Sequence, residues 1–244
     1  MNQLSLNLVA IAVFLMTLTT LLGPLLHISP AVPAIAIFGM MAIGTLDAFS
    51  FQGQGQNVLL DWIAGFSPAH RERIIRHEAG HFLVAQQLGI PVTDYSLTAW
   101  EALRKGFAGQ GGIQFDTQEL DQQLQQGKLS AQWLDRFCTV WMAGIAAEKL
   151  QYGSAEGGSD DRLKLRAVLN HLKFSDGEAE QKERFCILRA KTLLEENSAA
   201  YDALVEALTR RDSVADCQSV LATYVKSTTV KSTTVKSTTI TQSA

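Results

Sequence analysis

Hydrophobic residues are unevenly spread along this chain of 244 residues. Positions 4–22 form an almost unbroken run of Leu, Val, Ile, Ala, Phe and Met, and positions 31–51 form a second. Each approaches the about 20 residues that a helix needs to cross a bilayer. Gly23, Pro24, Ser29, Pro30 and Pro33 supply turn formers between them. The pattern predicts a transmembrane helical hairpin over 1–51, with both ends on one side of the membrane.

Beyond it the pattern becomes that of a globular domain. Residues 52–66, beginning with the Gly- and Gln-rich "QGQGQN", read as a linker. Ser67 as cap, Pro68 at the first helical position and Gly89 past the end frame a helix over "SPAHRERIIRHEAGHFLVAQQLG". "VTDYSLTAW" and "GGIQF" are β-rich runs separated by "EALRKGFAGQ", which predicts a small hairpin or edge strands. "LSAQWLDRFCTVWMAGIAAEKLQYG" reads as one long buried helix ending at Gly153, with Cys138, Trp133 and Trp141 in its core face. Helical runs follow over 161–172, 177–197 and 199–210. The expected domain is therefore mainly α with a small β-sheet, covering 67–225. The repeated "KSTTV" unit over 226–240 has no face to bury and predicts a disordered tail over 226–244.

Composition sharpens this picture. No Asp, Glu, Lys or Arg precedes Asp47, which argues against a cleaved signal peptide because such a leader begins with basic residues. Arg71, Arg73 and Arg76 follow the second run, and the positive-inside tendency places the domain on the cytoplasmic side or its equivalent. The net charge of −3 and the dispersed basic residues give no surface suited to nucleic acid. Cys138, Cys186 and Cys217 are far apart and form no CxxC pair, so neither a zinc ribbon nor a disulfide framework is expected, and a reducing compartment fits.

The chemistry lies in "HEAGH". His77 and His81 are four residues apart and share one face of their helix, so both imidazoles can reach one metal ion. Glu78 sits beside that ion without occupying it and can take a proton from bound water, whose pKa zinc lowers from about 15.7 to about 7. This is the HExxH arrangement of zinc hydrolases. Ala79 and Gly80 are small and leave room for close approach by another element. A third protein ligand is needed, with the fourth position left to water. His27, His70, His171 and the carboxylates are candidates. "SAEGGSDDRLKL" stands out, because a glycine turn leads Asp160 and Asp161 into the start of a helix, where carboxylates are favoured and where one of the two can cap.

These motifs resemble the peptidase domain of FtsH-type membrane zinc proteases. "WMAGIAAEKLQYG" is similar to the family's GGRxAE helix, and "EGGSDD" to its TGASND. "VTDYSLTAW…GGIQF" resembles the strand pair beside its substrate cleft, and "ALVEALTRRDSV" its closing helices. The resemblance covers about 67–221. It implies Asp161 as the third zinc ligand, Zn2+ as cofactor and a hexameric ring as the assembly. The chain departs from the family in lacking any GxxxxGK[ST] between anchor and peptidase, so no nucleotide partner is expected. Ile145 stands where the family has arginine, and Glu156 where it has threonine.

The reading that follows is a membrane-anchored zinc metalloendopeptidase without an ATPase module, acting on unfolded or membrane-associated polypeptides. His77, His81 and Asp161 hold the metal, Glu78 is the general base, and "GGIQF" is the edge on which an extended substrate pairs. One alternative is a non-catalytic partner of full-length FtsH-type complexes. Another is a site-2-type intramembrane protease, disfavoured by Arg71, Glu72, Arg73 and Arg76 beside the motif and by the absence of an LDG segment.

Overall fold

The computed structural model describes residues 3–23, 25, 27, 29, 31–50, 67–107, 111–126 and 130–224, and the side chains of all these except 3–9, 40, 41, 43–50 and 124. The linker over 52–66 and the repeat tail lie outside the described residues. The chain divides into two compact units, 1–67 with 98–111, and 68–97 with 112 onward.

In the first unit, α1 (Gln3–Leu22) and α2 (Ala31–Ser50) are helices of 20 residues each. Ile11, Val13, Phe14 and Leu15 on α1, and Val32, Ile35 and Phe38 on α2, are exposed. The hydroxyls of Thr17, Thr19 and Thr20 donate to the carbonyls of Val13, Leu15 and Met16 one turn back, so each is satisfied inside its own helix. Among the described residues no helix is long and apolar enough to cross a membrane. The expected two-span hairpin is thus not found among them.

A short helix, α4 (Ala99–Lys105), also belongs to this unit. Its Thr98 cap accepts from the Glu101 N–H at 3.1 Å, and Gly106 closes it at φ 72°. Ala99 and Trp100, read from sequence as part of a β-rich run, are therefore helical.

The second unit is built around α3 (Pro68–Gln87), whose residues Phe82, Leu83, Val84 and Ala85 are fully buried. Residues 79–85 are buried on every side of the helix and so must be packed on every side. Around it lie α6 (Ala131–Trp141), α7 (Ala143–Tyr152), α9 (Asp176–Glu196) and α10 (Ser198–Thr209). α3 and α7 cross closely at Gly80. A Cβ on Gly80 would meet the Ala147 Cβ at 2.7 Å and the Ala143 carbonyl oxygen at 2.8 Å, so only glycine permits it. Tyr201 on α10 donates its hydroxyl to the Arg76 carbonyl at 2.8 Å and ties that helix to α3.

Strands β1 (Val92–Ser96) and β2 (Gly112–Phe115) form an antiparallel pair with Tyr95 opposite Ile113. Short α5 (Gln118–Gln125) follows β2. After α7, α8 (Ser159–His171) leads to α9, which opens on a capping box between Ser175 and Glu178, and α11 closes the unit over 214–224. The sequence reading of a mainly helical domain with a small sheet matches this unit. The single long helix expected over 129–153 is instead two, α6 and α7, broken at Met142 (φ −87°, ψ −1°). Cys138 and Trp141 are buried in the core, Trp133 packs against it, and all three cysteines are free and buried.

Candidate metal centre

His77 and His81 point from α3 toward the start of α8. His77 Nε2 lies 3.2 Å from Asp161 Oδ2, and His81 Nε2 lies 3.4 Å from the same oxygen. Donors bound to a tetrahedral zinc ion at 2.0–2.2 Å are about 3.3 Å apart. The 3.2 and 3.4 Å separations match two edges of such a tetrahedron, and all three donor atoms lie within 4.8 Å of one another.

Each imidazole is fixed through its other nitrogen. His81 Nδ1 donates to the Val140 carbonyl at 2.7 Å, and because that partner only accepts, the Nδ1 carries the hydrogen and Nε2 presents its lone pair. His77 Nδ1 lies 2.7 Å from Glu148 Oε1 on α7. Metal-ligating histidines are held in this way, by a carbonyl on one ring and a carboxylate on the other. Gly144 makes room for the His77 ring, since a Cβ there would fall 2.2–2.5 Å from three of its atoms.

Glu148 is 1% exposed. It accepts from the backbone N–H groups of Glu156 at 2.9 Å and Gly157 at 3.1 Å, and from Arg73 at 3.0 Å. Burial pushes its carboxyl up, but the bonds from His77, Glu156 and Arg73 outweigh burial and bring it down to about 2. Burial likewise opposes the charged form of His77, yet Asp161 and Glu148 raise its pKa to about 10. Burial also works against the Asp161 carboxylate, and the two histidines hold it well below the usual carboxylate range. Two lone-pair nitrogens and a carboxylate turned toward one point require a cation between them. A proton on His77 meets that need in the metal-free protein, and a divalent cation held by the three donors would meet it too.

Of the two adjacent aspartates, Asp160 is exposed and Asp161 faces the histidines. Neither caps α8. Gly158 takes the cap position in the left-handed region, at φ 85°. His70 is elsewhere on α3, His171 is exposed in the last turn of α8, and His27 belongs to the first unit. Glu78 accepts from the Ile113 N–H of β2 at 2.9 Å. Antiparallel pairing alternates inward and outward N–H groups, and Ile113 directs its own to this carboxylate, at the free edge of β2. Gly112 (φ 105°) allows the approach, because its Cβ would lie 3.1 Å from Glu78 Oε2. Phe115, at the far end of β2, has its ring 6.4 Å from that of His81.

Sequence reasoning assigned no role to Glu148, Val140 or Gly144. Gly144 and Glu148 do fall in the stretch similar to the GGRxAE helix, and Glu148 is a lone carboxylate within the apolar "AGIAAEKL" run. No family model matches the chain, and no curated protein matches it. The resemblance to FtsH-type peptidases rests on the motifs quoted above.

Proposed function

We propose that this protein is a zinc-dependent metalloendopeptidase, similar to the peptidase part of FtsH-type proteases but without their ATPase. The observation that carries the reading is the convergence of His77 Nε2 and His81 Nε2 on Asp161 Oδ2, at 3.2 and 3.4 Å, with each remaining imidazole nitrogen anchored. The donor set of two imidazoles and one carboxylate is one that zinc accepts while keeping a position for water. When bound, zinc supplies an acidified water and polarises the scissile carbonyl.

The remaining work falls to the chain. Glu78 follows His77 directly and is only half-buried, so it can take the proton of the attacking water and hand it to the leaving amine. An extended polypeptide would pair through its backbone along the outer edge of β2, where the Ile113 N–H, held by Glu78 in this structure, would have to pass to it. Backbone pairing reads little of the side chains, so unfolded or short segments are the expected substrates. The exposed apolar faces of α1 and α2, and the threonines satisfied within α1, support a membrane anchor for the chain.

Glu78→Gln separates catalysis from binding. The expected outcome is wild-type metal content with peptide hydrolysis lost. Undiminished hydrolysis in this variant contradicts the assignment of Glu78, and a wild-type protein that holds metal but cleaves no peptide points to a non-catalytic role.

A further inference from the structure

Arg73 lies one helical turn before His77 on the same face of α3. Its side chain is only 18% exposed, and the guanidinium is spread over four partners. Nη1 donates to Glu148 Oε2 at 3.0 Å and to the Ser154 carbonyl at 3.3 Å, while Nη2 pairs with Glu156 Oε1 at 3.1 Å. The group also stacks over the Tyr152 ring, 4.2 Å from its centroid. Every one of these partners belongs to α7 or the turn after it.

That turn leads to the third ligand. Gly157 and Gly158 pass against the His77 ring, so close that Cβ atoms there would sit 3.3 and 3.6 Å from it. Ser159 then begins α8, and Asp161 follows in its first turn. We infer that Arg73 is a positioning residue, fastening the helix that carries His77 and His81 to the turn that delivers Asp161, and so setting how tightly the three ligands hold a divalent cation. The inference rests on the metal reading above.

Two routes connect Arg73 to the ligands. One runs through Glu148, which Arg73 holds by one oxygen while the other faces His77 Nδ1. The second runs through the turn, where Arg73 bonds the Ser154 carbonyl and Glu148 gathers the N–H groups of Glu156 and Gly157. The contact with Glu156 is the weaker arm, because that carboxylate is 68% exposed and exposed pairs are worth little. A lysine ammonium is a point charge without the planar fork, and it cannot serve Glu148, the carbonyl and the ring together.

Cobalt(II) is the probe, because its visible absorption reports ligand geometry as well as binding. Affinity is read by competition with a chromophoric chelator, on full-length protein, for wild type, Arg73→Met, Arg73→Lys and Glu156→Gln. Wild type is expected to bind about one ion per chain with the intense bands of a tetrahedral site. Arg73→Met should bind about tenfold more weakly, in the range seen when outer partners of metal ligands are removed, with bands shifted and weakened. Arg73→Lys should recover part of both, and Glu156→Gln should stay close to wild type. Wild-type affinity and spectrum in a folded Arg73→Met overturn the inference and leave the metal reading standing. If Arg73→Met does not fold, wild-type values in Arg73→Lys overturn it equally. A wild-type protein that binds no cobalt contradicts the metallopeptidase reading, and this inference falls with it.

Discussion

Gly144 shows how narrowly the centre is fitted. Its missing side chain is the space in which the His77 ring lies, 2.2–2.5 Å from where a Cβ would be. Gly144→Ala should therefore cost about 1–3 kcal/mol as overpacking and displace the ring from its bond to Glu148. Denaturant melts and metal content check this; an alanine variant with wild-type stability and full metal would show that the ring has another place to go. Protons act at the same residue. His77 is raised from 6.5 to about 10, so in metal-free protein its contribution to stability is complete below 6.5 and lost as pH rises through about 10. Glu148 is lowered from 4.5 to about 2, so its contribution is present above 4.5 and lost as pH falls through about 2. On the proposed reading, a bound metal would take the proton's place on His77. The alkaline decline should appear with chelator and vanish with zinc, and parallel denaturation midpoints from pH 7 to 10 would contradict that exchange. His77, Glu78 and His81 were legible because helical spacing alone puts them together. The choice between Asp160 and Asp161 was not, since it depends on Gly158 taking the cap and turning the second aspartate inward. Glu148 meets His77 across 71 residues of chain, a relation that no local pattern encodes.

At the scale of elements, the pairing of α3 with α7 matters most. His77 and His81 ride on one helix, while Gly144 and Glu148 ride on the other. Gly80 lets the two backbones approach. Its neighbours there are a Cβ and a backbone carbonyl, neither of which can turn aside. Gly80→Ala should force the helices apart, lower stability by about 1–3 kcal/mol and weaken metal retention together with it. A melting temperature unchanged from wild type would mean that the crossing is looser than the contact distances indicate. Most elements were readable from periodicity and punctuation: α3 from Pro68 and Gly89, and the end of α7 from Gly153. The break at Met142 was not readable, because the apolar pattern runs straight through it. It coincides with the Val140 carbonyl accepting from His81, a partner 59 residues away. Ala99 and Trp100 were drawn into a strand by their apolar neighbours, but the Thr98 cap starts a helix there.

At the scale of the molecule, the second unit carries its own core and every residue of the candidate centre. A chain beginning at Ser67 should accordingly fold and retain metal. The anchor proposed for α1 and α2 predicts that the full chain floats with lipid vesicles and resists alkaline extraction, while the shortened chain does neither. Recovery of the full chain free of vesicles would contradict the anchor without touching the metal centre. The central claim is that His77, His81 and Asp161 form a site for one divalent metal. Its most direct test is the zinc content of the purified full-length protein after dialysis against a weak chelator. The account predicts about one zinc per chain. Protein that retains none would contradict it.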